Sequence, residues 1–147
     1  MLLLLLTPAL PGVAAPAGEW PCYGADANRS HAVTSEISPP LGLAWTYRPA
    51  QPPQPAWPEP GKELHRIDFD YCFQPVSDGR LVFFGSSADD CVRALDLKTG
   101  EMRWRFPTGG PVRFAPVLHE GRCYVASDDG VLYCLDAQSG RSLPAGR

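Results

Sequence analysis

Two stretches of this 147-residue chain, 75–104 and 116–143, are copies of one motif, and that repetition constrains the fold more than any single residue does. The first copy reads Pro75-Val76, Asp78-Gly79, Leu81-Val82-Phe83-Phe84-Gly85-Ser86, Ala94-Leu95-Asp96, Thr99-Gly100 and Trp104. The second reads Pro116-Val117, Glu120-Gly121, Cys123-Tyr124-Val125-Ala126-Ser127, Cys134-Leu135-Asp136 and Ser139-Gly140. The offset is 40 residues, from Asp96 to Asp136 and again from Gly100 to Gly140. Within each copy, short apolar runs flank polar turns. Strands are predicted over 81–85 and 92–95 around residues 86–90, and over 123–126 and 131–135 around residues 127–130. Asp and Ser accept local backbone hydrogen bonds and Gly supplies positive φ, so both connections read as hairpin turns. No stretch shows a helical period, and the chain reads as all-β.

A strand-rich repeat of about 40–45 residues is the signature of a β-propeller blade, a unit that cannot bury its own faces and must stack on neighbours. The expected fold is therefore about two four-stranded blades. Propellers have about 4–8 blades, and two would leave an apolar face bare at each end. The chain is thus expected to be a truncated reading of a longer protein, the alternative being a protomer that closes a ring with identical chains. In the second copy the position of Trp104 falls on Pro144, which cannot donate to a ladder, so the outermost strand of that blade is expected to be incomplete.

The remaining sequence divides around these repeats. Residues 1–17 carry no charge, contain a five-leucine run and end Ala15-Pro16-Ala17, the pattern of a secretory signal peptide cleaved after Ala17. The competing reading is an N-terminal anchor, but Pro8, Pro11 and Pro16 interrupt it well short of the roughly 20 apolar residues of a membrane span. Cys22, in Glu19-Trp20-Pro21-Cys22, lacks the small apolar context of a lipoprotein cleavage box. The mature chain is expected outside the cytoplasm, periplasmic or extracellular. An opening segment follows over 18–48, then a linker over 49–62, then the repeats over 63–147. Six of the twelve residues from 49 to 60 are proline, which imposes extended polyproline geometry. The linker reads as a stiff spacer in preference to a ligand for a polyproline-binding groove, with Trp57 packing on the adjacent blade. The net charge of −3, with 13 scattered Lys and Arg, offers no basic surface for nucleic acid.

Five cysteines, an odd number, show no Cys-x-x-Cys metal spacing. If Ala126 faces Val131 across a four-residue turn, Cys123 faces Cys134. Directly opposed strand residues lie within reach of a disulfide after slight adjustment. The pair is therefore either a cross-strand disulfide or two small buried fillers.

The run from Ala94 to Trp104 matches Ala-x-Asp-x-x-x-Gly-x-x-x-Trp, with a second copy at Asp136 and Gly140. It resembles the tryptophan-docking repeat of quinoprotein-like propellers, a group that includes pyrroloquinoline quinone (PQQ) dehydrogenases and a cofactor-free outer-membrane assembly lipoprotein. Trp20-Pro21, Tyr23, Asp26 and Arg29-Ser30 resemble the opening of exported bacterial members, with His31 where Gly is usual and a Leu43, Trp45 strand following. The spacing also makes physical sense. Asp96 and Thr99 can bond backbone groups of a tight turn, Gly100 supplies its φ, and Trp104 faces the next blade.

The dehydrogenases of this group, as the resemblance implies, hold PQQ with a calcium ion bound by acidic and Asn side chains, use a catalytic Asp, and often carry a disulfide between adjacent cysteines. No two cysteines are adjacent here, and Asn28 is the one asparagine. Asp89-Asp90 and Asp128-Asp129 read as turn residues before calcium ligands, and Asp68 and Asp70 as surface-strand residues. His31, His65 and His119 have no triad or metal spacing, and Ser86, Ser87 and Ser127 lack a nucleophile elbow. Gly109-Gly110-Pro111 opens no helix and so is not a phosphate cradle. The expectation is a non-enzymatic, exported scaffold without cofactor that contacts other blades, identical chains or a protein partner. A fragment of a PQQ-dependent dehydrogenase whose cofactor site, with PQQ and calcium, lies in missing blades is the alternative. Ala94, Asp96, Thr99, Gly100, Trp104, Asp136 and Gly140 would be structural docking residues.

Overall fold

A computed structural model describes residues 18–36, 39–54 and 73–144. The signal peptide expected over 1–17, most of the proline-rich stretch with Trp57, and His65, Asp68, Asp70 and Cys72 fall outside the described residues. Seven strands follow one another: β1 (Val76–Ser77), β2 (Leu81–Ser86), β3 (Cys91–Asp96), β4 (Met102–Pro107), β5 (Val117–His119), β6 (Arg122–Ala126) and β7 (Leu132–Asp136). They form two antiparallel meanders in chain order, β1–β4 and β5–β7. These are two blades, the first four-stranded and the second three-stranded. Among the described residues there is no helix long and apolar enough to cross a membrane. At the outer edge of the second blade, Ser142 forms an isolated bridge to Leu135 and the Leu143 amide donates to the Cys134 carbonyl. Pro144 follows, with no N–H to extend that ladder.

The blades pack face to face. Leu81, Phe83, Val92, Ala94 and Trp104 from the first meet Cys123, Val125 and Leu135 from the second in one buried cluster. Phe83 and Trp104 hold their ring centroids 5.8 Å apart. Burying a side chain the size of Phe83 contributes about 1.5–3 kcal/mol, so this inter-blade layer is a principal source of stability. The opposite face of the first blade is covered as well: Phe84 lies 5.2 Å from Tyr47 and 5.0 Å from Phe73, centroid to centroid. Coverage on both faces explains why β2 and β3 are almost wholly buried. Gly85 permits the approach of the 109–112 loop, because a Cβ there would sit 2.1 Å from Val112 Cγ1.

The second hairpin departs from expectation. Ala126 pairs with Leu132, not Val131, so Tyr124 faces Cys134 and Cys123 faces Leu135. The turn is one residue longer than the sequence suggests. The Val131 amide donates to Asp129 Oδ1 and the Ser127 amide to the Val131 carbonyl, with Gly130 at φ +81°, which keeps Val131 inside the loop. A slip of one residue sends every side chain of a strand to the other face. Cys123 therefore points into the inter-blade core while Cys134 lies on the opposite face, and both are free thiols. The expected Cys123–Cys134 disulfide is corrected accordingly: the pair sits diagonally, on opposite faces of one sheet.

The opening segment spans the first strands of both blades. Trp20 exchanges two 2.8 Å backbone hydrogen bonds with Ser77 of β1, and the Pro21 carbonyl accepts from Leu118 of β5 at 2.7 Å. Its loop is closed by Asp26, which accepts from the Ser30 amide and hydroxyl at 3.1 and 2.7 Å. His31 follows at φ +54°, the left-handed conformation that glycine adopts without cost.

Candidate functional site

The motif residues assemble two corners of the same construction. In the first, the Gly100 amide donates to the Asp96 carbonyl at 2.8 Å, while Asp96 Oδ1 accepts from the Lys98 and Thr99 amides at 2.9 and 3.1 Å. Thr99 Oγ1 accepts from the Glu101 amide, and the Asp96 amide donates to the Glu101 carbonyl. In the second, the Gly140 amide donates to the Asp136 carbonyl at 2.8 Å, and Asp136 Oδ1 accepts from the Ser139 amide and hydroxyl at 2.8 and 2.6 Å. The Lys98 amide holds the Asp96 carboxyl below the usual carboxylate range, and the Ser139 hydroxyl does the same for Asp136.

Each corner receives a tryptophan. Trp104 of β4 donates from Nε1 to the Ala137 carbonyl at 2.9 Å, and a Cβ on Gly140 would meet its ring at 2.6 Å. Trp45 donates from Nε1 to the Leu97 carbonyl at 2.9 Å, and a Cβ on Gly100 would meet its ring at 2.7 Å. The two glycines stand at φ +73° and +68°. Glycine is required twice over at these positions, for its φ and for the absence of a side chain beneath an indole. Ala94 lies fully buried opposite Trp104 in the β3–β4 ladder. All seven motif residues thus fall at the corners or on the strand that feeds one. The sequence reading placed Trp45 on a strand but missed that its ring seats on Gly100. The recurring pattern of an apolar residue two before the tryptophan, Leu43 and Met102, was the available signal.

Further polar links tie the blades. Asp129 Oδ2 accepts from the Gly109 amide at 2.8 Å and from the Tyr133 hydroxyl at 2.6 Å, and the Tyr133 bond lowers the Asp129 pKa. Asp128 pairs with Arg113, which also donates to the Gln54 carbonyl. Asp89 forms a two-pronged pair with the buried Arg93 that holds its carboxyl well below the usual range, and Arg105 stands 3.4 Å away. These carboxylates are engaged by backbone amides, a phenol and guanidinium groups, and among the described residues no three His, Cys, Asp or Glu side chains converge. His119 is exposed, 3.7 Å from Glu120, and His31 packs edge-on to Tyr23. Ser86 accepts from the Ala88 amide and Ser127 from the Asp129 amide, which are turn roles; Ser127 also donates to the Gly110 carbonyl of the preceding loop, and Ser87 accepts from the Gln54 amide, tying the proline-rich stretch to the first blade. An open cleft of about 960 Å³ lies between the opening segment and β5, where Tyr23 and Phe114 are 54% and 70% exposed.

A family model described as outer membrane protein assembly factor BamB matches residues 43–143. The 1-butanol dehydrogenase (cytochrome c) of Thauera butanivorans is 28% identical over 142 residues, taking in 86% of this chain and 18% of that one. Among solved structures, BamB from Moraxella catarrhalis is similar over 45% of this chain and 20% of its own, at 22% identity and a TM-score of 0.42. A europium-containing methanol dehydrogenase is similar over 50% of this chain and 15% of its own, at 18% identity and a TM-score of 0.43. The chain spans a fifth or less of the length of each of these proteins.

Proposed function

We propose a function from one premise: this chain belongs to the family of outer membrane protein assembly factor BamB, whose model covers residues 43–143. The chain acts as a non-enzymatic, exported propeller-repeat segment, a scaffold for protein contacts in the periplasm or outside the cell. The observation that carries this reading is how the most distinctive residues spend their polar atoms. Asp96, Asp136 and Asp129 bond turn amides and neighbouring side chains, and Trp45 and Trp104 bond turn carbonyls. Polar atoms spent in this way build a rigid surface, which is what a scaffold for protein contacts requires. The exposed Tyr23 and Phe114 beside the cleft supply the aromatic anchors that protein partners favour. Export accords with the uncharged, leucine-rich residues 1–17.

A second reading, part of a PQQ-dependent dehydrogenase, is favoured by the similarity to the 1-butanol dehydrogenase. One experiment separates the two. A ligand at about 100 times its Kd stabilises the folded state by about 2.7 kcal/mol. Thermal unfolding of a full-length protein that contains this segment, with saturating PQQ and calcium, is expected to leave the midpoint unchanged. A rise of several degrees would overturn the scaffold reading in favour of the enzyme.

A further inference from the structure

Asn28, the one asparagine of the sequence, stands in the run Asp26-Ala27-Asn28-Arg29-Ser30. Asn-x-Ser, with x other than proline, is the acceptor pattern for N-linked oligosaccharide, and it is used where it lies on the surface of an exported chain. Asp26 also supplies the acidic residue two positions before the asparagine that the more selective oligosaccharyltransferases read in addition. The structure sets this run at the tip of a closed loop. Gly24 and Ala25 are buried and anchor it, and the His31 amide closes it by donating to the Gly24 carbonyl at 3.0 Å. Within the loop the Arg29 amide donates to the Asp26 carbonyl at 2.9 Å, which places Asn28 at the third position of a tight turn. Residues 27–30 are all exposed, and among the described residues the Asn28 side chain makes no hydrogen bond.

We propose that Asn28 is a glycosylation site, taking an oligosaccharide on its carboxamide nitrogen. The donor class is an oligosaccharide joined through pyrophosphate to an isoprenoid lipid, and the catalyst is a membrane-bound oligosaccharyltransferase. In the transfer, Asn28 Nδ2 forms a bond to the anomeric carbon of the sugar as the bond from that carbon to a pyrophosphate oxygen breaks. The isoprenoid pyrophosphate leaves with the electron pair, Nδ2 gives up one proton to a base of the transferase, and nothing is oxidised or reduced. The geometry suits such a site in two ways. Ser30, whose hydroxyl the transferase must read, is held only by Asp26 four residues away, through bonds of 3.1 and 2.7 Å exposed to solvent. Local, solvent-exposed bonds open at low cost, so the run can extend into an active site without disturbing the blades. A side chain with no partner can also carry a large polar group without loss of packing. This inference rests on the exported placement of the chain, because the transfer takes place on the far side of the membrane from the cytoplasm.

The test produces a full-length protein that contains this segment in a cell whose export pathway carries an oligosaccharyltransferase. One preparation keeps residues 1–17, and the other has a leader of established export in their place. Cleavage after Glu19 and Glu36 releases residues 20–36 as one peptide, whose mass reports the modification. Both preparations should yield that peptide with an added oligosaccharide. Ser30→Thr, which keeps the hydroxyl, should retain it, and Ser30→Ala and Asn28→Gln should lose it. An unmodified peptide from the preparation with the established leader would overturn the proposal, since the chain would have met the transferase and Asn28 been refused. So would an oligosaccharide that persists in Asn28→Gln. Modification with that leader and not with residues 1–17 would overturn the exported placement, and the proposal would fall with that premise and not at Asn28.

Discussion

The corner at Gly140 and the corner at Gly100 are the same object in different surroundings. Their turn bonds, glycine φ values and indole-to-carbonyl distances agree closely. Yet Trp104 is 9% exposed within the inter-blade core, whereas Trp45 is only half-buried on an extended segment with no ladder partner among the described residues. The docking turn is a local device that Asp-x-x-x-Gly specifies by itself. How deeply its tryptophan is buried is decided by the sheet behind it.

The substitution pair Trp104→Ala and Trp45→Ala sharpens this most. Loss of a large buried aromatic costs about 3–5 kcal/mol, expected for Trp104. Trp45, less completely covered, should cost less, about 1–3 kcal/mol. Equilibrium urea unfolding measures both, and equal losses would break the distinction between turn and surroundings. Next in size are Gly140→Ala and Gly100→Ala. Each pays about 1–2 kcal/mol for a left-handed alanine, together with displacement of the ring lying over it. The Gly140 loss should be the larger, because Trp104 is hemmed in by Phe83 and cannot move aside. A Gly100 loss equal to it would mean that Trp45 is as tightly held as Trp104.

Much of this was readable from residue types, because the bonds that shape each corner lie within five residues of one another. The pairing of Trp45 with Gly100 was not, since it joins segments far apart in the chain and depends on blade order. The register of the second hairpin was not legible either. Both readings of that loop offer Asp, Gly and Ser in turn positions, and Val131 is held inside the loop by its amide bond to Asp129, its carbonyl bond from the Ser127 amide and the positive φ of Gly130.

Acid should erode both corners together. The carboxyls of Asp96 and Asp136 are held below their ordinary range by hydrogen bonds in the folded chain. Groups of this kind contribute stability that is complete above the unfolded carboxylate value, near 4, and is lost as pH falls through the lower folded one. Asp89, paired with Arg93, and Asp129 shift in the same direction. Thermal midpoints should therefore be flat between about pH 6 and 5 from these groups and decline below about pH 4. A decline already complete at pH 5 would contradict the folded-state bonds.

The smallest effect is chemical. Burial pushes the Cys123 thiol up to about 12 and raises Cys91 as well. Neither should react with iodoacetamide at pH 8 in the native chain, and Cys123 and Cys134 should both be alkylated after unfolding without reductant. If Cys123 and Cys134 stay unmodified after unfolding until reductant is added, a disulfide joins them and the register given above is wrong.

The extra residue in the second hairpin bears on how blades of this kind can be duplicated or exchanged. A recombination joint inside the 127–131 loop that dropped or gained one residue would deliver the following strand inside out, with Cys134 and Leu132 turned inward and Leu135 turned to water. A joint at the Asp-x-x-x-Gly corner carries its own geometry and leaves the facing of both strands intact. The corner is thus a safe seam for grafting, and blades transplanted between its two copies should retain their cores whatever the length of the hairpin between them.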